Sequence, residues 1–255
     1  MHPYLERILQ TKQVIGPDAE LHVLESAISQ EEGLFLREII RHIRPKASLE
    51  VGLAQGISAM FICDALKEVG CSKHIVIDPG QLEKAPHDDW QGLGLYNLQQ
   101  CGFREMIDFH NGPSEIVLPK LVAQGERIDF AFVDGWHTLD QVVVDFYYIN
   151  RLLNIGGVVA FDDANWPSIR KALRYFSQYP GYRVLGAVQV DDEQKSSLSK
   201  CLFKIVVSAV PQRLGRHLFR EELLIADDTR GIQGTCVAIQ KMQEDQRTWT
   251  WFADF

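Results

Sequence analysis

Five acidic residues sit at the ends of short apolar runs. They are Glu50 in Leu49-Glu50-Val51-Gly52, Asp78 after His74–Ile77, Asp134 after Ile128–Val133, and Asp162 and Asp163 after Gly157–Phe161. Glu50 would be buried, and a buried carboxylate needs a partner. A cationic ligand amine would serve, and so would local backbone amides. Gly52 and Gly56 flank a turn that lets the backbone approach a ligand closely. Asp78 could accept hydrogen bonds from the two hydroxyls of a ribose, although Asp78-Pro79-Gly80 is also good turn chemistry. Asp134, Asp162 and Asp163 would raise one another's pKa unless a cation neutralised them, and hard oxygen ligands suit Mg²⁺ or a similar dication. His137 is placed to act as a general base toward a hydroxyl or simply to pack. Asp162-Asp163 could instead cap a helix before Pro167. Ser114, in Asn111-Gly112-Pro113-Ser114, fits contact with an adenine edge and fits equally a helix start. Trp136 fits either the core or the wall of a crevice.

The elements that must carry these residues alternate along the chain. Strands are expected at Ala47–Val51, His74–Ile77, Met106–Phe109, Ile128–Val133, Gly157–Phe161, Tyr182–Val190 and Thr235–Gln240. Helices are expected at Ile57–Val69, Gly94–Cys101, Ser114–Gln124, Ser168–Phe176 and around Leu139–Leu153. Short, continuously apolar strands between amphipathic helices indicate a sheet covered on both faces. This is an α/β, Rossmann-like, doubly wound fold with seven strands, mostly parallel with one antiparallel late strand. Its ligands bind beyond the carboxyl ends of the strands, where the acids lie. Residues 1–45 read as a helical N-terminal arm or lid. Within it Ser29-Gln30-Glu31-Glu32 forms a capping box, and Leu36, Ile39, Ile40 and Ile43 mark one buried face. Residues 46–255 form the main domain, with a polar insert around 191–233.

Composition narrows the chemistry. At 255 residues the chain suits one embellished α/β domain, and 46% hydrophobic residues suffice for a core. A net charge of −8 disfavours nucleic acid and anionic membranes as partners. A basic stretch, Gln212–His217 with Arg220, reads as a solvated face. No apolar run approaches the roughly 20 residues of a membrane span, and no secretory signal is evident. Cys63, Cys71, Cys101, Cys201 and Cys236 lack metal-ligand or disulfide spacing, which fits a cytoplasmic protein with reduced thiols.

The segment Glu50-Val51-Gly52-Leu53-Ala54-Gln55-Gly56-Ile57-Ser58-Ala59 resembles the first motif of class I S-adenosylmethionine-dependent methyltransferases. With Gly112-Pro113-Ser114-Glu115, the later acids and Glu31-Glu32-Gly33-Leu34-Phe35-Leu36, the likeness narrows to the metal-assisted O-methyltransferases of the catechol and caffeoyl-CoA type and to a related bacterial sugar and small-molecule family. The resemblance covers roughly residues 30–180. It implies S-adenosylmethionine binding by Glu50, Gly52, Gly56, Ser58, Asp78, Ser114, Asp134 and Trp136. It further implies a Mg²⁺-like dication on Asp134, Asp162 and Asp163, and catalysis by His137 and Asp134 on a small-molecule hydroxyl acceptor. A homodimer is a further expectation. Three departures stand out: Ala54 replaces a common glycine, His137 a lysine, and Asp163 an amide. A metal-independent methyltransferase, a non-catalytic S-adenosylmethionine-binding module and a nicotinamide-dependent oxidoreductase are the alternatives. The last is disfavoured because the glycines are four apart, unlike GxGxxG.

Overall fold

The computed structural model describes residues 1–82, 89–189 and 227–253. Cys201, the basic stretch 212–220 and the insert as far as residue 226 lie outside the described residues, as do positions 83–88.

Seven strands form one sheet in the order β5-β4-β3-β6-β7-β9-β8. These are β3 (Ser48–Val51), β4 (His74–Ile77), β5 (Ile107–His110), β6 (Ile128–Val133), β7 (Leu153–Phe161), β8 (Tyr182–Val188) and β9 (Cys236–Lys241). β3 to β7 pair in parallel, while β9 runs antiparallel to both β7 and β8. Strand order reverses between β3 and β6, and the crevice at such a switch point is where α/β sheets take ligands.

Alternation along the strands divides the core. Phe130 and Phe132 of β6 and Val76 of β4 face one layer, with α2 (Gln30–Ile43), α3 (Ile57–Val69) and α4 (Leu93–Gln100). Ile128, Ala131 and Val133 face the other, with α5 (Ser114–Ala123), α6 (Leu139–Leu152) and α7 (Pro167–Phe176). Both faces of the sheet are thus covered, which explains why its strands read as unbroken apolar runs.

The N-terminal arm departs from the expected helix. Only α1 (Pro3–Thr11) is helical before a two-stranded hairpin, β1 (Gln13–Ile15) and β2 (Leu21–Val23). Lys12, in the left-handed region at φ 55°, ends α1, and Gly16-Pro17-Asp18 lies in the turn between the two short strand-forming triplets. The expected capping box at the start of α2 is present: Ser29 Oγ accepts from Glu32 N at 3.2 Å, and Glu32 Oε2 accepts from Ser29 N at 2.7 Å.

The four described cysteines are buried and unbridged. No helix among the described residues is long and apolar enough to cross a membrane.

At the C-terminal end of α6, the fully buried Lys241 ammonium donates to Asn150 O (2.9 Å) and Leu153 O (3.0 Å) and pairs with Glu244 Oε2 (2.8 Å). It satisfies carbonyls that a helix end leaves open. Lys241→Met removes the buried donor they share and should lower stability by about 3 kcal/mol in urea denaturation.

Candidate active site

The backbone ladder continues one residue past several strands, and that places the acids. Gly52 N donates to Ile77 O (2.9 Å), Asp134 N to Val51 O (2.9 Å), Asp162 N to Val133 O (3.0 Å) and Asp78 N to His110 O (3.2 Å). Asp78, Asp134 and Asp162 therefore emerge at one edge of the sheet, fixed by the strand beside them.

Glu50 shares a sheet face with Ser48 and His74. His74 Nδ1 lies 2.9 Å from Ser48 Oγ, and its Nε2 lies 3.1 Å from Glu50 Oε2. Both Glu50 and His74 are fully buried, and Glu50 Oε1 has no hydrogen-bond partner among the described residues. Half of this buried carboxylate is thus satisfied and half is orphaned. The sequence reading missed His74; the one visible signal was a histidine heading the otherwise apolar run His74-Ile75-Val76-Ile77.

Asp78 braces the turn after β3. Its Oδ2 accepts from Leu53 N (2.8 Å) and Ala54 N (3.0 Å), and its Oδ1 from Gly80 N (2.7 Å). Asp78 thus makes its own turn, and Oδ1 accepts only one of these three bonds. Ala54 is held at φ 45°. Gly52, at φ 89°, lies so close to Asp134 that a Cβ would overlap the Asp134 carbonyl oxygen. Gly56 starts α3 at φ 82° with no side-chain cap, and Ser58 is buried in the first turn. Gln55 ties the arm to this turn: its Oε1 accepts from Glu25 N (2.9 Å) and its Nε2 donates to Val23 O (2.9 Å). Beside Gln55 lies a cleft of about 240 Å³, lined by His22, Val23, Glu25, Trp90 and Leu93 among others.

Across the switch point, one ligand atom each from Asp134, His137 and Asp163 lies within 4.8 Å of the others. His137 Nε2 is 3.2 Å from Asp163 Oδ2 and 3.5 Å from Asp134 Oδ1. The imidazole packs on Trp166 with ring centroids 5.1 Å apart, and His137 O accepts from Ser168 Oγ at 2.5 Å. Asp163 takes φ 48°, the kind of strained non-glycine backbone that concentrates at functional sites. His137 completes this group, whereas Asp162 stands outside it. Burial, reinforced by Asp134, Glu32 and Asp163, pushes Asp162 well above the usual carboxylate range. Burial also raises Asp134 against the opposing pull of His137, and His137 is raised by its contact with Asp134. Glu32, the capping-box acid of α2, is therefore part of the electrostatic setting. Its local helix signature hid that role. Trp136 flanks the site on the same turn and is about half exposed.

Ser114 is engaged elsewhere. Its hydroxyl donates to Asp145 Oδ1 at 2.6 Å and accepts from Gln141 Nε2 at 2.9 Å. Asp145 is fully buried with Oδ2 unpartnered, and burial raises it to about 6. Since the folded value exceeds the unfolded one near 4, its contribution to stability is full below about pH 4 and is lost as pH rises through 6. Asp145→Asn should thus gain about 2 kcal/mol relative to wild type between pH 4.5 and 7.5, read by urea unfolding at both values.

Comparison with known proteins agrees with this edge of the sheet. The profile of the methyltransferase domain family matches residues 49–164, from β3 to just beyond Asp163. Over these residues the chain resembles a methyltransferase domain, and it is similar in sequence to caffeoyl-CoA O-methyltransferases. Caffeoyl-CoA O-methyltransferase 1 of Eucalyptus globulus is 27% identical over 162 residues, 59% of this chain and 61% of that protein. Caffeoyl-CoA O-methyltransferase 1 of Arabidopsis thaliana is 29% identical over 163 residues, 59% of each chain. The match spans about three fifths of these relatives. An O-methyltransferase from Bacillus cereus, solved in complex with SAH, shares the fold of the methyltransferase domain at TM-score 0.54. It is 17% identical, with 72% of this chain and 84% of that one covered.

Proposed function

We propose that the protein transfers a methyl group from S-adenosylmethionine to a hydroxyl of a small molecule, with a divalent cation beside the acceptor. The observation that carries this is the orphaned Glu50 Oε1, a buried carboxylate oxygen at the switch point with no partner among the described residues. It fits the ammonium of the cofactor's methionine part, because leaving a buried charge unpaired is costly.

The chain's own residues divide the work. Glu50 takes the ammonium while His74 holds its other oxygen. Asp78 fixes the turn Leu53–Gly56 and offers Oδ1 to a ribose hydroxyl. Gly52 keeps the two loops close. Gly56 leaves the first amides of α3 without a side-chain cap, and Ser58 lies in that turn. Trp136 flanks the nucleoside, and Ser114 is held by Asp145 and Gln141 at its base end.

The carboxylates of Asp134 and Asp163, with Asp162 behind them, fit a dication, since burial raises all three and neighbouring carboxylates add to it, Asp163 acting on Asp134, Asp134 and Asp163 on Asp162, and Glu32 on Asp163. When bound, a dication lowers the pKa of a neighbouring hydroxyl and orients it. Holding acceptor and donor in line removes several kcal/mol from the barrier.

The test is to incubate the full chain with methyl-labelled S-adenosylmethionine and a panel of catechols and sugars, with Mg²⁺ or Mn²⁺ and with EDTA. Label transfer that EDTA abolishes is expected. Failure to bind S-adenosylmethionine at millimolar concentration would refute the proposal. Transfer undiminished by EDTA would refute the metal half.

A further inference from the structure

The Nε2 atom of His137 is buried between carboxylate oxygens of Asp163 and Asp134, 3.2 and 3.5 Å away, and among the described residues no well-aligned hydrogen bond takes it up. A neutral imidazole nitrogen that does not carry its proton presents a lone pair. Here that atom faces two anionic oxygens, a grouping that makes sense around a cation. The ring is not free to swing away, because it packs on Trp166 and its backbone carbonyl is tied to Ser168. Asp163 is aimed from a left-handed backbone at φ 48°. Three ligand atoms within 4.8 Å of one another leave room for one ion between them.

We propose that His137 is itself a ligand, through Nε2, and that the site therefore favours a first-row transition dication such as Mn²⁺ over Mg²⁺. This rests on the methyltransferase reading and deepens its metal half. Mg²⁺ takes oxygen donors almost exclusively, whereas an imidazole among the ligands raises affinity for transition ions. A nitrogen whose lone pair is given to the ion cannot also take the acceptor's proton. The general-base role that the sequence offers for His137 gives way to coordination. Asp134 and Asp163 supply the two anionic ligands, and Asp162 lies outside the group.

The experiment is Mn²⁺ titration of the full chain by electron paramagnetic resonance, with pulsed detection of nitrogen coupling. One Mn²⁺ per chain is expected, with a ¹⁴N coupling from a directly bound imidazole that becomes a ¹⁵N coupling in ¹⁵N-histidine protein. In His137→Gln, Mn²⁺ should bind about tenfold more weakly or worse and the coupling should vanish, while Mg²⁺ affinity changes by less than about threefold. His137→Phe, which keeps a ring against Trp166, should lose the coupling as well. If one variant fails to fold, the other and the isotope shift in wild type still decide. Bound Mn²⁺ without nitrogen coupling in wild type would overturn the inference and leave the methyltransferase reading intact. Coupling that persists in a folded variant would overturn it in the same way. If the chain binds S-adenosylmethionine but no Mn²⁺, the inference falls with the metal half. If it binds neither, the reading beneath falls too.

Discussion

Gly52→Ala should abolish measurable S-adenosylmethionine binding, with affinity falling at least about 100-fold. Two costs act together. At φ 89° an alanine is strained by about 1 kcal/mol. Its Cβ would also overlap the Asp134 carbonyl oxygen and sit 3.2 Å from Gly135 Cα. Neither backbone can retreat cheaply, because Gly52 N is bonded to Ile77 O and Asp134 N to Val51 O. The turns after β3 and β6 must part, one just after Glu50 and the other carrying Asp134. Gly70→Ala is the control. Gly70 has φ 83° but nothing within 4 Å of its Cβ position, so that variant should lose only about 1 kcal/mol of stability and keep its affinity. Calorimetric titration with thermal melting separates the two effects; equal behaviour of the variants would refute the close-approach argument.

The double variant Asp134→Asn with Asp163→Asn should lose dication binding and about 10³-fold in methyl transfer, roughly 4 kcal/mol of barrier. The protein should nonetheless fold at least as well without metal. Both carboxyls are raised by burial in the folded state. Groups raised in this way stabilise at low pH and lose that contribution as pH rises through the folded value. Removing them lifts that penalty near neutral pH. Higher melting temperature with lost transfer is the expected pair of results, measured at pH 7.5 with and without Mn²⁺. Retained transfer would remove these acids from the chemistry.

The architecture is legible because a parallel sheet buried on both faces writes itself as apolar runs. The acids then stand out at the run ends, as Asp78, Asp134 and Asp162 do. The antiparallel late strand, β9, belongs to the legible part as well. Less legible is anything decided across the chain. Gln13–Ile15 and Leu21–Val23 are too short to compete visibly with a helical arm. His74 gains meaning only when β3 and β4 align it beside Ser48 and Glu50. The Ser114–Asp145 bond joins residues 31 positions apart. Whether Asp162 or His137 joins Asp134 and Asp163 depends on how one turn folds over another. Spacing along the chain does not encode that.

The most direct measurement of the central claim is calorimetric titration of S-adenosylmethionine into wild type and Glu50→Gln. Losing a charge-assisted bond to the ammonium costs about 1.5–3 kcal/mol, so the variant should bind about 10- to 100-fold more weakly while the wild type binds one molecule per chain. Equal affinity in the two proteins, or no binding by either, would contradict the assignment of Glu50 Oε1 to the cofactor.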